Sequence, residues 1–233
     1  MAGLTWEPEY REEEASALRK AIAAKMTESK TTVPHFYLTV DVDAEPLINF
    51  RNKLNKSSEK KIGYNEIIMK AIAWSYKNNP EYNVAYFDGK LHYYKEVNIS
   101  LAVAVEGGLL TPTIKGCDEK SIEQISLEMN ELVEKARNKK LRARDQMGGV
   151  ITLTNLGMYG IEEFMAIVNT PQSMILAVGA IREVPVVKGG EIQPGKRMKM
   201  TLSVDHRALD GAMASIFLMD IKKALEDPEG CGL

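Results

Sequence analysis

Met198-Lys199-Met200-Thr201-Leu202-Ser203-Val204-Asp205-His206-Arg207-Ala208-Leu209-Asp210-Gly211 is the stretch on which the reading of this chain turns. Met198, Met200, Leu202 and Val204 alternate with Lys199, Thr201 and Ser203, the period of a strand with one buried face. Beyond the turn, Met213, Ile216, Phe217, Ile221, Ala224 and Leu225 recur at helical spacing, and Gly211 supplies freedom for a sharp change of direction. A histidine is thus held between two rigid elements, as a reacting group must be. Asp205, Arg207 and Asp210 crowd it with charges that are costly to bury unless paired.

Outward from this stretch, the second informative segment is Gly148 to Gly160, a β-rich run (Val150-Ile151-Thr152-Leu153-Thr154-Asn155) entering a glycine loop. It lacks the G-x-G-x-x-G spacing of a dinucleotide site and no helical pattern opens from it. Ser173 to Ile181 reads as an apolar strand, and Gly179 inside it implies close approach of a ligand or another backbone. Val184 to Val187 and Glu191 to Gln193 flank a Gly189-Gly190 turn. Further upstream, strands are expected at Val33 to Val42, Val84 to Phe87, Leu91 to Tyr94, Asn98 to Val105 and Leu109 to Ile114. Helices are expected at Glu12 to Ser29, Ala44 to Asn55, Asn65 to Lys77 and Ser121 to Asn138, the last opened by a Ser121-x-x-Gln124 capping pattern.

With 233 residues, 45% of them hydrophobic, the chain can bury a full core, and no linker, repeat or composition shift divides it. One domain over 1–233 is expected, with 1–11 a flexible N-terminal segment. Net charge is -2 with both signs interspersed, and the basic run Arg137 to Arg144 follows an acidic helix, so no nucleic-acid footprint emerges. Cys117 and Cys231 have neither zinc-site spacing nor a disulfide framework, and no metal site is expected. The longest apolar stretch, Met174 to Ile181, is too short to span a bilayer. A soluble protein of a reducing compartment is the expectation.

D-H-R-A-L-D-G after an apolar strand resembles the D-H-R-x-x-D-G signature of the acyltransferase (E2) cores of 2-oxo acid dehydrogenase complexes, which are similar to chloramphenicol acetyltransferase. The resemblance runs from Leu18 to about Leu225. R-K-A-I-A-A-K-M at Arg19 to Met26 is similar to the family's R-K-x-I-A-x-R-M, with Lys25 in place of the more usual Arg. Gly148 to Gly160 resembles G-G-x-F-T-I-[ST]-N-L-G-M-[FY]-G, and I-V-N-T-P-Q-S-M-I-L-A-V-G resembles I-I-N-P-P-Q-x-x-I-L-A-x-G. The resemblance implies an α/β, chloramphenicol acetyltransferase-like two-layer sandwich, a mixed sheet covered by helices, forming trimers.

It also implies acyl transfer, acetyl by the N-L-G-M-Y-G segment, between dihydrolipoamide and coenzyme A. His206 would be the general base and Thr154 the hydroxyl for the tetrahedral intermediate, with Asp210 holding the turn through an ion pair with Arg19. Coenzyme A contacts fall by resemblance at Arg51, Gly63, Thr154, Asn155 and Gly179, and Gly63 stands where relatives often have Ser. His and Thr of one site would come from different subunits of a homotrimer, itself able to build a 24-subunit or 60-subunit cage. Lipoamide, and the E1 and E3 components, would be engaged through lipoyl and peripheral-subunit-binding domains for which the chain has no room. The compartment implied is the cytoplasm, or alternatively the mitochondrial matrix. Rival readings are a free-standing acetyltransferase for a small acceptor and an inactive assembly scaffold.

Overall fold

The computed structural model describes residues 8–58 and 60–233. Five helices, α1 (Ala17–Thr32), α2 (Ala44–Ser57), α3 (Tyr64–Asn78), α4 (Ile122–Arg137) and α5 (Gly211–Glu226), are joined to eleven strands. In chain order the strands are β1 (His35–Asp43), β2 (Val84–Phe87), β3 (Lys90–Tyr93), β4 (Ile99–Leu101), β5 (Val103–Val105) and β6 (Gly108–Leu110). Then come β7 (Thr113–Ile114), β8 (Ile151–Asn155), β9 (Met174–Val178), β10 (Arg182–Lys188) and β11 (Glu191–Asp205). The main sheet runs β1-β11-β9-β8-β4-β7, with β10 also paired to β11. The β4–β8 and β8–β9 pairs are parallel and the remainder antiparallel, giving the mixed sheet and helical layer expected.

The helical layer explains itself from the sequence. On α3, Ile67, Ile68, Ala71 and Ile72 are fully buried, and Tyr76 meets Phe217 of α5 with ring centroids 4.6 Å apart. Each buried isoleucine contributes about 1.5–3 kcal/mol relative to an exposed one. Met198, Met200, Leu202 and Val204 of β11 meet this layer, all of them buried. Thr201 and Ser203 are buried as well, so the strand is covered on both faces at its inner end.

Several elements depart from expectation. The first helix starts at Ala17, not Glu12, because Ser16 caps it by accepting the Arg19 amide at 3.2 Å. It continues to Thr32, its last hydroxyls bonding back to the Thr27 and Glu28 carbonyls. Its stripe, Leu18, Ile22 and Met26, is only half-buried within the protomer. The strand expected over Asn98 to Val105 breaks at Ala102: β4 and β7 stay in the main sheet while β5 and β6 leave it as a separate hairpin. The short hairpin expected at Val184 to Gln193 is longer, and β11 is one continuous 15-residue strand.

Ala166 to Thr170, which the sequence pattern assigns to no element, has no regular structure, and side chains satisfy its backbone: Ser29 Oγ donates to the Val168 carbonyl at 2.6 Å, and the Val168 amide donates to His35 Nε2 at 3.0 Å. Of the expected flexible segment 1–11, residues 1–7 lie outside the described residues, and 8–11 are exposed without regular structure. Among the described residues no helix is long and apolar enough to cross a membrane.

Candidate active site

At the end of β11 the charged turn is locked by an ion pair whose carboxylate is buried. Asp205 is 3% exposed, and its carboxylate accepts from Arg207 Nε at 3.0 Å, from Arg207 Nη2 at 2.8 Å and from the Arg207 amide at 3.0 Å. The guanidinium also lies 4.7 Å from the Tyr86 ring centroid. A planar, forked donor on a carboxylate fixes orientation as well as charge. Between these partners His206 is exposed, its amide donating to the Pro34 carbonyl at 3.1 Å and its ring tilted against Phe36 at 4.6 Å. The imidazole is therefore accessible yet carried on a fixed backbone.

Asp210 holds the other side of the turn as the N-cap of α5, its Oδ1 accepting the Met213 amide at 2.9 Å. Among the described residues of one protomer no Arg19–Asp210 ion pair forms; the cap is the contact that Asp210 makes. Gly211 is the first helical residue and has no positive φ, so a sharp backbone turn is not its role.

Register separates Thr154 from His206 within the protomer. Thr154 pairs with Ala177, which pairs with Thr201, five residues before His206 and two strands across. At about 3.3 Å per residue and 4.8 Å per strand, the two side chains stand roughly 15–20 Å apart. One protomer cannot bring them together.

Three of the other expected residues do meet. Gly63, Asn155 and Gly179 line one cavity of about 430 Å³ with Tyr64, Asn65, Glu66, Met129, Gly157, Met158, Ile181 and Met198. Thr154 is not among these, since successive side chains of a strand point to opposite faces. Asn155 ties the glycine loop to the start of α3: its Nδ2 donates to Asn65 Oδ1 and its Oδ1 accepts the Gly157 amide, both at 2.8 Å. Gly179 is required by a neighbouring backbone, because a Cβ there would lie 1.9 Å from the Glu162 carbonyl oxygen. The Glu162-Glu163 strap that comes so close is pinned by Arg182 at 2.6 Å and Lys199 at 3.0 Å.

Arg51 stands apart from this cavity's wall but next to it. Its Nε donates to the Ile62 carbonyl at 2.9 Å and its guanidinium lies 4.7 Å from the Tyr64 ring centroid. It lines a basic hollow of about 400 Å³ with Lys56, Lys61, Asn52, Asn55 and Ser58. Sequence reasoning missed Glu66 and Asn65; a glycine N-cap with an acidic residue three positions on is the signal that marks them.

His35 is satisfied structurally, with Nδ1–H donating to the Val33 carbonyl at 2.9 Å and Nε2 accepting from Val168. Cys117 is buried, and burial pushes its thiol up to about 12, which removes it as a nucleophile. Among the described residues no group of three or more His, Cys, Asp or Glu is placed to hold a metal ion.

A mixed sheet backed by helices, with a histidine turn at one end of its long strand, is an architecture shared with chloramphenicol acetyltransferase. A solved chloramphenicol acetyltransferase superposes with a TM-score of 0.53 at 14% identity, a likeness of fold alone. The family model for 2-oxoacid dehydrogenases acyltransferase (catalytic domain) matches residues 7–233, and the chain belongs to that family. It is 42% identical over 224 residues to the dihydrolipoyllysine-residue acetyltransferase component of the pyruvate dehydrogenase complex of Rickettsia bellii, covering 94% of this chain and 54% of that protein. The mitochondrial counterpart of Schizosaccharomyces pombe is 39% identical, covering 94% and 47%. The chain thus spans about half the length of the curated relatives it matches. Among solved structures, the Azotobacter vinelandii dihydrolipoamide acetyltransferase (E2p) superposes with a TM-score of 0.92 at 33% identity, covering 97% of this chain and 95% of that one. The cubic core of a pyruvate dehydrogenase multienzyme complex gives the same score, identity and coverage.

Proposed function

We propose that this chain transfers an acetyl group between dihydrolipoamide and coenzyme A, as the acyltransferase core of a pyruvate dehydrogenase complex. The observation that carries the reading is the locked turn, which presents an accessible imidazole at the end of a buried strand. The A. vinelandii structure was determined to examine a serine, a histidine and an asparagine in that enzyme's mechanism. The spacing of those three along their chain equals, residue for residue, that of Thr154, His206 and Asp210.

A thiol of pKa about 8.5 is largely protonated at neutral pH, and a general base raises its reactive fraction as it attacks. His206 takes the proton from coenzyme A while the sulfur bonds to the thioester carbonyl carbon. Thr154 donates its hydroxyl hydrogen to the oxyanion, a contact of about 3 kcal/mol in a dry site. The carbon–sulfur bond to dihydrolipoamide then breaks, and the imidazolium returns its proton to the departing sulfur. The same steps in reverse serve the other direction. Asp210 holds the turn and takes no proton.

Coenzyme A lies with its arm in the cavity of Gly63, Asn155 and Gly179 and its phosphates toward Arg51, Lys56 and Lys61. Since Thr154 and His206 of one protomer are so far apart, a complete site needs a neighbouring copy, and a homotrimer supplies three such sites. Exposed Phe87, Tyr93, Met158 and Tyr159 give apolar surface for that contact. The trimer is the unit of a 24-subunit cube in preference to a 60-subunit shell, on the likeness to a cubic core. Lipoamide arrives on a lipoyl domain, and E1 and E3 dock through domains other than this one. The bacterial relatives favour a cytoplasmic setting over the mitochondrial matrix.

The test is to mix the protein with acetyl-CoA and either dihydrolipoamide or chloramphenicol and follow formation of the acetylated acceptor by chromatography. Turnover with the dithiol is expected, falling about 10²–10⁴-fold in His206→Ala. Turnover with the alcohol alone, or with neither acceptor, contradicts the proposal.

A further inference from the structure

Glu66 is a cavity side chain that keeps one buried oxygen without a hydrogen-bond partner among the described residues. It is 4% exposed, its Oε2 is shielded from solvent and, among the described residues, has no hydrogen-bond partner. It nevertheless lines the cavity. Leaving a buried polar atom unpaired costs about 1–3 kcal/mol, so a group kept this way is answerable to something else. Gly63 belongs to the same device: a Cβ at that position would lie 2.7 Å from Oε2, so glycine leaves the carboxylate its space.

The surroundings define what Oε2 can meet. Met129, Met158, Ile181 and Met198 give the cavity apolar walls, and Asn65 and Asn155 are already bonded to each other. A ligand of alternating methylene and amide groups matches that lining: its alkyl parts contact the walls, and an amide N–H is the donor that Oε2 lacks. We propose that Glu66 is a binding residue for the arm of the thiol substrate, accepting a hydrogen bond from one of its amide N–H groups through Oε2. The assignment deepens the proposed function and rests on coenzyme A entering this cavity.

Burial pushes the Glu66 carboxyl up, while the amides of Glu66 and Gly63 and the charge of Arg51 pull it down. These opposing influences leave an acid whose ionised form gains from one further donor.

Steady-state transfer is measured with coenzyme A and with two analogues, each N-methylated at one pantetheine amide. For the parent protein, KM is expected to rise about tenfold with one analogue and much less with the other. Glu66→Leu is expected to raise KM for coenzyme A about tenfold with kcat within about twofold and KM for dihydrolipoamide unchanged. In that variant the discrimination against the N-methylated analogue should vanish, as a coupled pair requires. A folded Glu66→Leu protein with the parental KM for coenzyme A overturns the assignment. Should the leucine variant fail to fold, the parent decides: equal KM for coenzyme A and both analogues overturns the assignment equally. A parent that turns over no coenzyme A contradicts the proposed function itself, a distinguishable result.

Discussion

At the scale of single residues, the turn around His206 depends on a pair that is unequal in burial. Asp205 is buried whereas the Arg207 side chain is about one-third exposed, at 4% and 32% respectively. Removing the arginine strands the buried charge, and removing the aspartate frees a cation that water can reach. Arg207→Ala is therefore expected to cost about 2–3 kcal/mol, a fall in Tm of roughly 5–10 °C, and Asp205→Asn less, both read by thermal unfolding. Glu66 gives a pH signature of opposite sense to ordinary carboxylates. Its folded pKa is raised, so its contribution is fully present below the unfolded value near 4.5 and is lost as pH rises through the folded value. Glu66→Gln should consequently raise Tm at pH 7–8, and the gain should shrink toward pH 4. A Tm difference independent of pH would show that burial does not govern this carboxyl.

Among the elements, the β8–β9 parallel pair and the strap across it decide where the cavity can lie. Gly179 lets the Glu162 carbonyl approach, and Gly179→Ala must push the strap away. That overpacking is expected to cost about 1–3 kcal/mol and to raise KM for coenzyme A, since Gly179 also lines the cavity. Unchanged stability and KM in that variant would contradict the tight approach. Much of this scale was legible in the sequence. The period-2 run of Met198 to Val204, the broad apolar face of α3 and the Ser121–Gln124 capping box each specify an element through local spacing, and the capping box forms with both bonds in place. The break at Ala102 was not legible, because the hydrophobic run there reflects burial by distant elements and does not reveal where the ladder ends. Likewise the motif residues were readable from their pattern; for Glu66 the glycine N-cap signal marks the position, but its open acceptor shows only in three dimensions. The start of α1 was misread because acidic residues suit a helix N-terminus by charge, whereas Ser16 fixes it by hydrogen bonding.

For the whole molecule, the ordering of the sheet carries the largest consequence. Strand order β11-β9-β8 sets Thr154 and His206 at opposite ends of strands separated by β9, so the proposed chemistry requires more than one copy of the chain. The half-buried apolar stripe of α1 and the exposed aromatic side chains of the β2–β3 hairpin leave apolar surface on the protomer. The most direct measurement co-expresses His206→Ala with Thr154→Ala, purifies the mixed assemblies and assays acetyl transfer to dihydrolipoamide. Each variant alone should be severely impaired. In a random mixture, each mixed trimer regains one intact site, so activity should recover to about a quarter of the parent's. Activity no higher than the average of the two separate variants would contradict a site shared between subunits.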